Sequence, residues 1–203
     1  MKPNKAVFLD RDGVINRPII VDGKPYPPHK IADFEILPGV AQACADLRKA
    51  GYILVVVTNQ PDVGRGILKK EIVEGIHASM VRQLPIDRVD VCYHAGAEFG
   101  EECECRKPRP GMLFAAAKKL AIDLSRSFMI GDRWRDVECG RNAGCRTIFI
   151  GRWKCEICQF TNGNDLRPHF VANDLWEACQ LIQSELRSES LRACSTLRSD
   201  GNY

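Results

Sequence analysis

Phe8-Leu9-Asp10-Arg11-Asp12-Gly13-Val14 joins an apolar run to two carboxylates one residue apart. In an extended backbone residues i and i+2 point to one face, so Asp10 and Asp12 are predicted to share a small space. Two like charges there repel. A divalent cation relieves the repulsion, as does a proton kept on one carboxylate, and both conditions are found at active sites. A polar turn is the plainer reading of an Asp-x-Asp met alone. A calcium loop opening at Asp10 is excluded, because its sixth position needs Gly and its twelfth needs Glu, where Ile15 and Val21 stand.

The stretch around these carboxylates has the pattern of an alternating fold. Ala6 to Leu9 reads as a buried strand, and Arg17 to Pro38, rich in proline and without a clear period, as a flap beside the site. Val40, Ala43, Cys44 and Leu47 fall at helical spacing, with Gly51 as the stop. Tyr52 to Val57 is a β-branched strand that runs into Thr58-Asn59-Gln60. A helix is predicted between Lys69 and Gln83, a strand over Val89 to Tyr93, and a further helix from Pro110, whose face is Leu113, Ala116, Ala117 and Leu120. Phe128 to Ile130, Arg146 to Ile150 and Phe170 to Ala172 are the remaining strands, before a terminal helix on Leu175, Cys179, Ile182 and Leu186. Strands alternating with helices imply an α/β fold, a doubly wound, Rossmann-like parallel sheet covered by helices on both faces. One domain over 1–188 is expected, with a disordered tail over 189–203 that is rich in Ser and Arg.

Composition narrows the function. A formal net charge of +3 with both signs interspersed gives no broad footprint for nucleic acid or a membrane surface, while small phosphates remain suitable partners. No apolar stretch is long enough for a signal peptide or a membrane span, so a cytoplasmic protein is expected, with a monomer as the favoured state. Ten cysteines then fit metal ligation and buried thiols better than a disulfide framework.

Asp10, Thr58 and Asp132 each follow a different buried strand, and open parallel sheets bind ligands in the crevice beyond the carboxyl ends of their strands. Thr58-Asn59 alone would be a cap and Gly131-Asp132 alone a turn, but those readings do not explain the shared placement. Lys107, held extended by Pro108, stands near the start of the helix at Pro110 as a phosphate clamp.

Taken in order, Asp10-Arg11-Asp12-Gly13-Val14, Thr58 with Asn59, Lys107, and Gly131-Asp132 with Asp136 resemble the four motifs of the haloacid dehalogenase superfamily of phosphohydrolases. The resemblance implies that Asp10 is the nucleophile and Asp12 the general acid and base. It implies that Thr58, Asn59 and Lys107 hold the phosphoryl group, and that magnesium is bound by the Asp10 carboxylate, the Asp12 backbone carbonyl and Asp132. The role of Asp136 stays open.

Cys92, His94, Cys103 and Cys105 supply three thiolates and one imidazole, the tetrahedral set zinc prefers. Four ligands close the shell, so this zinc would pin a loop over 92–105 rather than catalyse. Cys155 and Cys158 lack a second ligand pair nearby and read as unligated thiols, and Cys44 and Cys179 as core residues. A zinc loop running into Cys105-Arg106-Lys107-Pro108 resembles the branch of the superfamily that holds heptose bisphosphate and histidinol phosphatases, in which the zinc loop replaces a large cap domain. Arg106 is then expected to read the substrate, a small phosphorylated sugar. Pro61-Asp62-Val63 departs from the Ser-Gly-Ile of characterised heptose enzymes, and an inactive zinc-stabilised binding module is the reading of another class.

Overall fold

The computed structural model describes residues 3–151 and 166–199, with side chains as far as residue 188; Cys155 and Cys158 lie outside the described residues. The first strand, β1 (Lys5–Leu9), delivers Asp10 at its carboxyl end. It is followed by an antiparallel hairpin of β2 (Ile19–Val21) and β3 (Lys24–Tyr26), which turns at Asp22 and Gly23 with φ of 50° and 71°. Two successive positive φ values give the turn whose twist matches that of paired strands. The flap is therefore partly regular, where the sequence leads one to expect an irregular stretch: strands of three residues are too short to display an alternation, and only the Asp-Gly pair signals them.

Helix α1 (Val40–Lys49) buries Val40, Ala43, Cys44 and Leu47, the face its spacing predicts, and leads into β4 (Tyr52–Asn59). A single turn α2 (Pro61–Gly64) and helix α3 (Lys70–Gln83) precede β5 (Arg88–Cys92). The remaining elements are α4 (Gly111–Leu120), β6 (Phe128–Gly131), α5 (Trp134–Asn142), β7 (Arg146–Ile150), β8 (Phe170–Ala172) and α6 (Leu175–Ser199). Helix α6 runs past residue 189, where the sequence loses its core pattern. Among the described residues no helix is long and apolar enough to cross a membrane.

Six strands pair in parallel in the order β5-β4-β1-β6-β7-β8. The chain winds from β1 out to β5 on one side and then, through α4, returns to β6 on the other, so the order reverses beside β1. A crevice opens at such a reversal, beyond the strands' carboxyl ends. Alternation along β1 divides the core. Val7 and Leu9 face a layer built on α1 and α6, while Ala6 and Phe8 face one built on α4 and α5. Each fully buried Leu or Ile contributes roughly 1.5–3 kcal/mol, so both faces hold the central strands whose ends carry the site.

Candidate active site

The register sets the site. Leu9 pairs with Val56 on one side and with Ile130 on the other, and the Asp10 N–H continues the ladder by donating to the Ile130 carbonyl at 2.9 Å. Asp10 thus emerges level with the ends of both neighbouring strands. A cleft of about 780 Å³ opens there, lined by Asp10, Asp12, Thr58, Asn59, Arg106, Lys107 and Asp132 together with Lys24 and Tyr26 of the hairpin. All the phosphate, magnesium and substrate candidates named from the sequence meet in this one space.

Lys107 is the buried cation of the cleft. Its ammonium spends its three donors on Asp10 Oδ1 at 2.7 Å, Asp136 Oδ1 at 2.6 Å and the Val57 carbonyl at 2.8 Å. Burial opposes that charge, but Asp10 and Asp136 outweigh it and hold the ammonium above the ordinary lysine range. Asp136 owes its place to Gly131, where a Cβ would run into the Asp136 side chain, and to the Arg133 N–H, which donates to Asp136 Oδ2 at 3.0 Å. The open question about Asp136 is answered at the level of contacts: it is the second anion beside Lys107. Asn59 fixes the same residue from the backbone side. Its carboxamide accepts from the Lys107 N–H and donates to the Lys107 carbonyl, both at 3.1 Å, so its contacts here are to Lys107 itself.

Three carboxyl groups, Asp10, Asp132 and Asp136, place oxygens within 4.8 Å of one another, and with all three ionised, three minus the single Lys107 charge leaves two negative charges. Burial raises the Asp10 carboxyl to about 6, with Lys107 pulling down and Asp136 and Asp12 pushing up. Burial, followed by the charges of Asp10 and Asp136, holds Asp132 well above the carboxylate range. Asp132 Oδ1 is buried without a hydrogen-bond partner. An orphaned carboxyl oxygen beside a second acid, both ionised more readily with a cation bound, suits a hard divalent ion such as magnesium, which takes oxygen ligands.

Asp12 points into a network that the sequence reading missed. Arg11, fully buried, donates from Nε and Nη2 to the Asp12 carboxylate, the Nη2 contacts both being 2.9 Å. Buried Gln60 donates from Nε2 to Asp12 Oδ2 and to Thr58 Oγ1, each at 2.9 Å, which leaves the Thr58 proton to be donated elsewhere. His77 of α3 meets Arg11 Nη1 at 2.9 Å. One signal for His77 was present: it lies with Val73, Ile76 and Met80 on the buried face of α3, where a histidine needs a partner.

Cys92 ends β5, and His94, Cys103 and Cys105 close around it. Neighbouring ligand atoms stand 3.4–3.6 Å apart. Thiolates at about 2.3 Å from a tetrahedral zinc are about 3.8 Å from each other, so the cluster has the dimensions of such a site. The loop also carries the next residues: Arg106 Nη1 donates to the His94 carbonyl at 3.1 Å, which ties the cleft arginine to the cysteine cluster.

A family model for HAD-hydrolase-like proteins matches residues 104–178. The chain is 42% identical over 156 residues to the D-glycero-β-D-manno-heptose-1,7-bisphosphate 7-phosphatase of Photorhabdus laumondii, covering 72% of this chain and 80% of that one. The chain belongs to the haloacid dehalogenase-like phosphatases. The Escherichia coli K12 protein of the same name is 38% identical over 190 residues, covering 89% of this chain and 94% of its own. Among phosphatases of this family with solved structures, the D,D-heptose 1,7-bisphosphate phosphatase of B. bronchiseptica, complexed with magnesium and phosphate, superposes with a TM-score of 0.74. It is 29% identical and covers 89% of this chain and 99% of its own.

Proposed function

We propose that this phosphatase hydrolyses D-glycero-D-manno-heptose 1,7-bisphosphate at the 7-phosphate, through an aspartyl-phosphate on Asp10. The observation that carries the reading is the Asp10–Lys107 pair at the strand ends, in a cleft with Arg106 at its rim. The named relatives supply the substrate. Histidinol phosphate, the other expectation, would bring a cationic amine to a cleft also lined by Arg65, Arg106, Arg133 and Arg135.

In the first step an Asp10 carboxylate oxygen attacks phosphorus, the bond from phosphorus to the sugar oxygen breaks, and Asp12 gives that oxygen a proton. Water then attacks the phosphoryl group, Asp12 takes its proton, and the bond to Asp10 breaks to release phosphate. Lys107 and the Thr58 hydroxyl hold the phosphoryl oxygens, and Asn59 holds the Lys107 backbone. Magnesium bound by Asp10, Asp132 and the Asp12 carbonyl would offset charge on the phosphoryl group. Zinc in the cysteine cluster would fix the loop that presents Arg106 and Lys107.

The test is phosphate release from sugar and amino-alcohol phosphates, with acid quenching to trap phosphoenzyme. Wild-type protein should turn over the bisphosphate fastest and yield an acid-stable, base-labile phosphoenzyme that Asp10→Asn lacks. Normal turnover by Asp10→Asn would overturn the covalent route.

A further inference from the structure

The Arg11 guanidinium is sealed from solvent and has only donors to offer. One edge meets Asp12, and its remaining nitrogen, Nη1, faces His77 Nε2 at 2.9 Å. Since arginine cannot accept, His77 Nε2 must, which fixes the imidazole as neutral with its proton on Nδ1. Burial, then the Arg11 charge, lower the His77 pKa to about 4, with Asp12 opposing, so the accepting form prevails at neutral pH.

We propose that His77 is a positioning residue for the reaction: by accepting from Arg11 Nη1 it locks the guanidinium edge that orients the Asp12 carboxylate for proton transfer. The inference rests on Asp12 as the acid and base. The side chain that holds the Arg11 guanidinium in place is thus supplied by α3, far along the chain from the Asp-x-Asp motif. Without an acceptor at this point, Nη1 loses its partner where it is shielded from water, and a buried charged donor left alone costs more than an ordinary hydrogen bond. The guanidinium then turns to recover a contact and carries the Asp12 carboxylate with it. Gln60 holds only Oδ2 of that carboxylate and cannot by itself restore the two-point grip on the Arg11 side.

Steady-state kinetics on heptose 1,7-bisphosphate would compare wild type, His77→Leu, His77→Gln and Asp12→Asn, with melting temperatures recorded alongside. His77→Leu should lower kcat by about tenfold or more, part of the roughly 10²–10⁴-fold that a positioned general acid and base contributes, with KM nearly unchanged. His77→Gln keeps an acceptor oxygen and should recover most of that loss even if its melting temperature falls as far as that of the leucine variant. If His77→Leu does not fold, His77→Met serves as the variant without a nitrogen or oxygen acceptor. Wild-type kcat in the leucine or methionine variant, or equal losses in these and the glutamine variant, would overturn the proposal. Wild-type kcat in Asp12→Asn would instead remove the acid–base assignment on which it stands.

Discussion

Lys107 Nζ lies 2.7 Å from Asp10 Oδ1 and 2.6 Å from Asp136 Oδ1, so one buried ammonium bridges carboxylates delivered by a strand end and by the first turn of a helix. Lys107→Met should leave those anions uncompensated, and breaking a buried ion pair from one side costs roughly 3–5 kcal/mol. Lys107→Arg should not restore activity, because Lys107, 3% exposed, already uses its three donors, and a planar fork cannot repeat their tetrahedral directions. Denaturant unfolding and phosphate release on both variants measure this.

Asp132 gives a metal prediction with two opposite signs. Burial and its acidic neighbours raise its pKa, so its ionised form destabilises the folded state at neutral pH in the absence of a cation. Asp132→Asn should therefore raise the melting temperature in chelator. The same change should raise the magnesium concentration for half-maximal activity by about tenfold or more, since even supporting groups of metal ligands cost that much. Melting curves with and without magnesium separate the effects.

The cysteine cluster should hold one tightly bound zinc per chain, separable from exchangeable magnesium. Cys103→Ser should lower zinc content, thermal stability and activity together, because Arg106 leans on the His94 carbonyl and Lys107 follows it. Elemental analysis of protein purified without chelator reads the metal. Zinc-free protein together with a fully active Cys103→Ser would contradict the role.

His77 also makes a pH prediction. Its folded pKa of about 4 lies below the unfolded value of 6.5, so the unfolded chain binds the extra proton first as pH falls. Stability is complete above 6.5 and is lost progressively as pH falls toward 4, by at most roughly 3–4 kcal/mol from this group. His77→Gln should flatten that limb of the stability profile, measured by urea unfolding between pH 7 and 4.

Much of this was legible because the central strands are buried on both faces. β1, β4 and β6 read as apolar runs, and the polar residues at their ends marked the crevice without any tertiary information. The hairpin was not, since Ile19–Val21 and Lys24–Tyr26 are too short to reveal a period. Nothing in the sequence marks Arg11, set between two acids, as buried, yet it is fully buried. Its far nitrogen meets His77, a partner that reaches it only once α3 packs beside β1's outgoing loop. Nor does the sequence show that the Asn59 carboxamide pairs with the Lys107 backbone, a contact between residues 48 apart in the chain.

The most direct measurement is phosphorus NMR of D-glycero-D-manno-heptose 1,7-bisphosphate during turnover by the magnesium-supplemented enzyme. The 7-phosphate resonance should disappear into inorganic phosphate while the 1-phosphate persists. Loss of the 1-phosphate first, or slower turnover of this substrate than of histidinol phosphate, would contradict the proposed function.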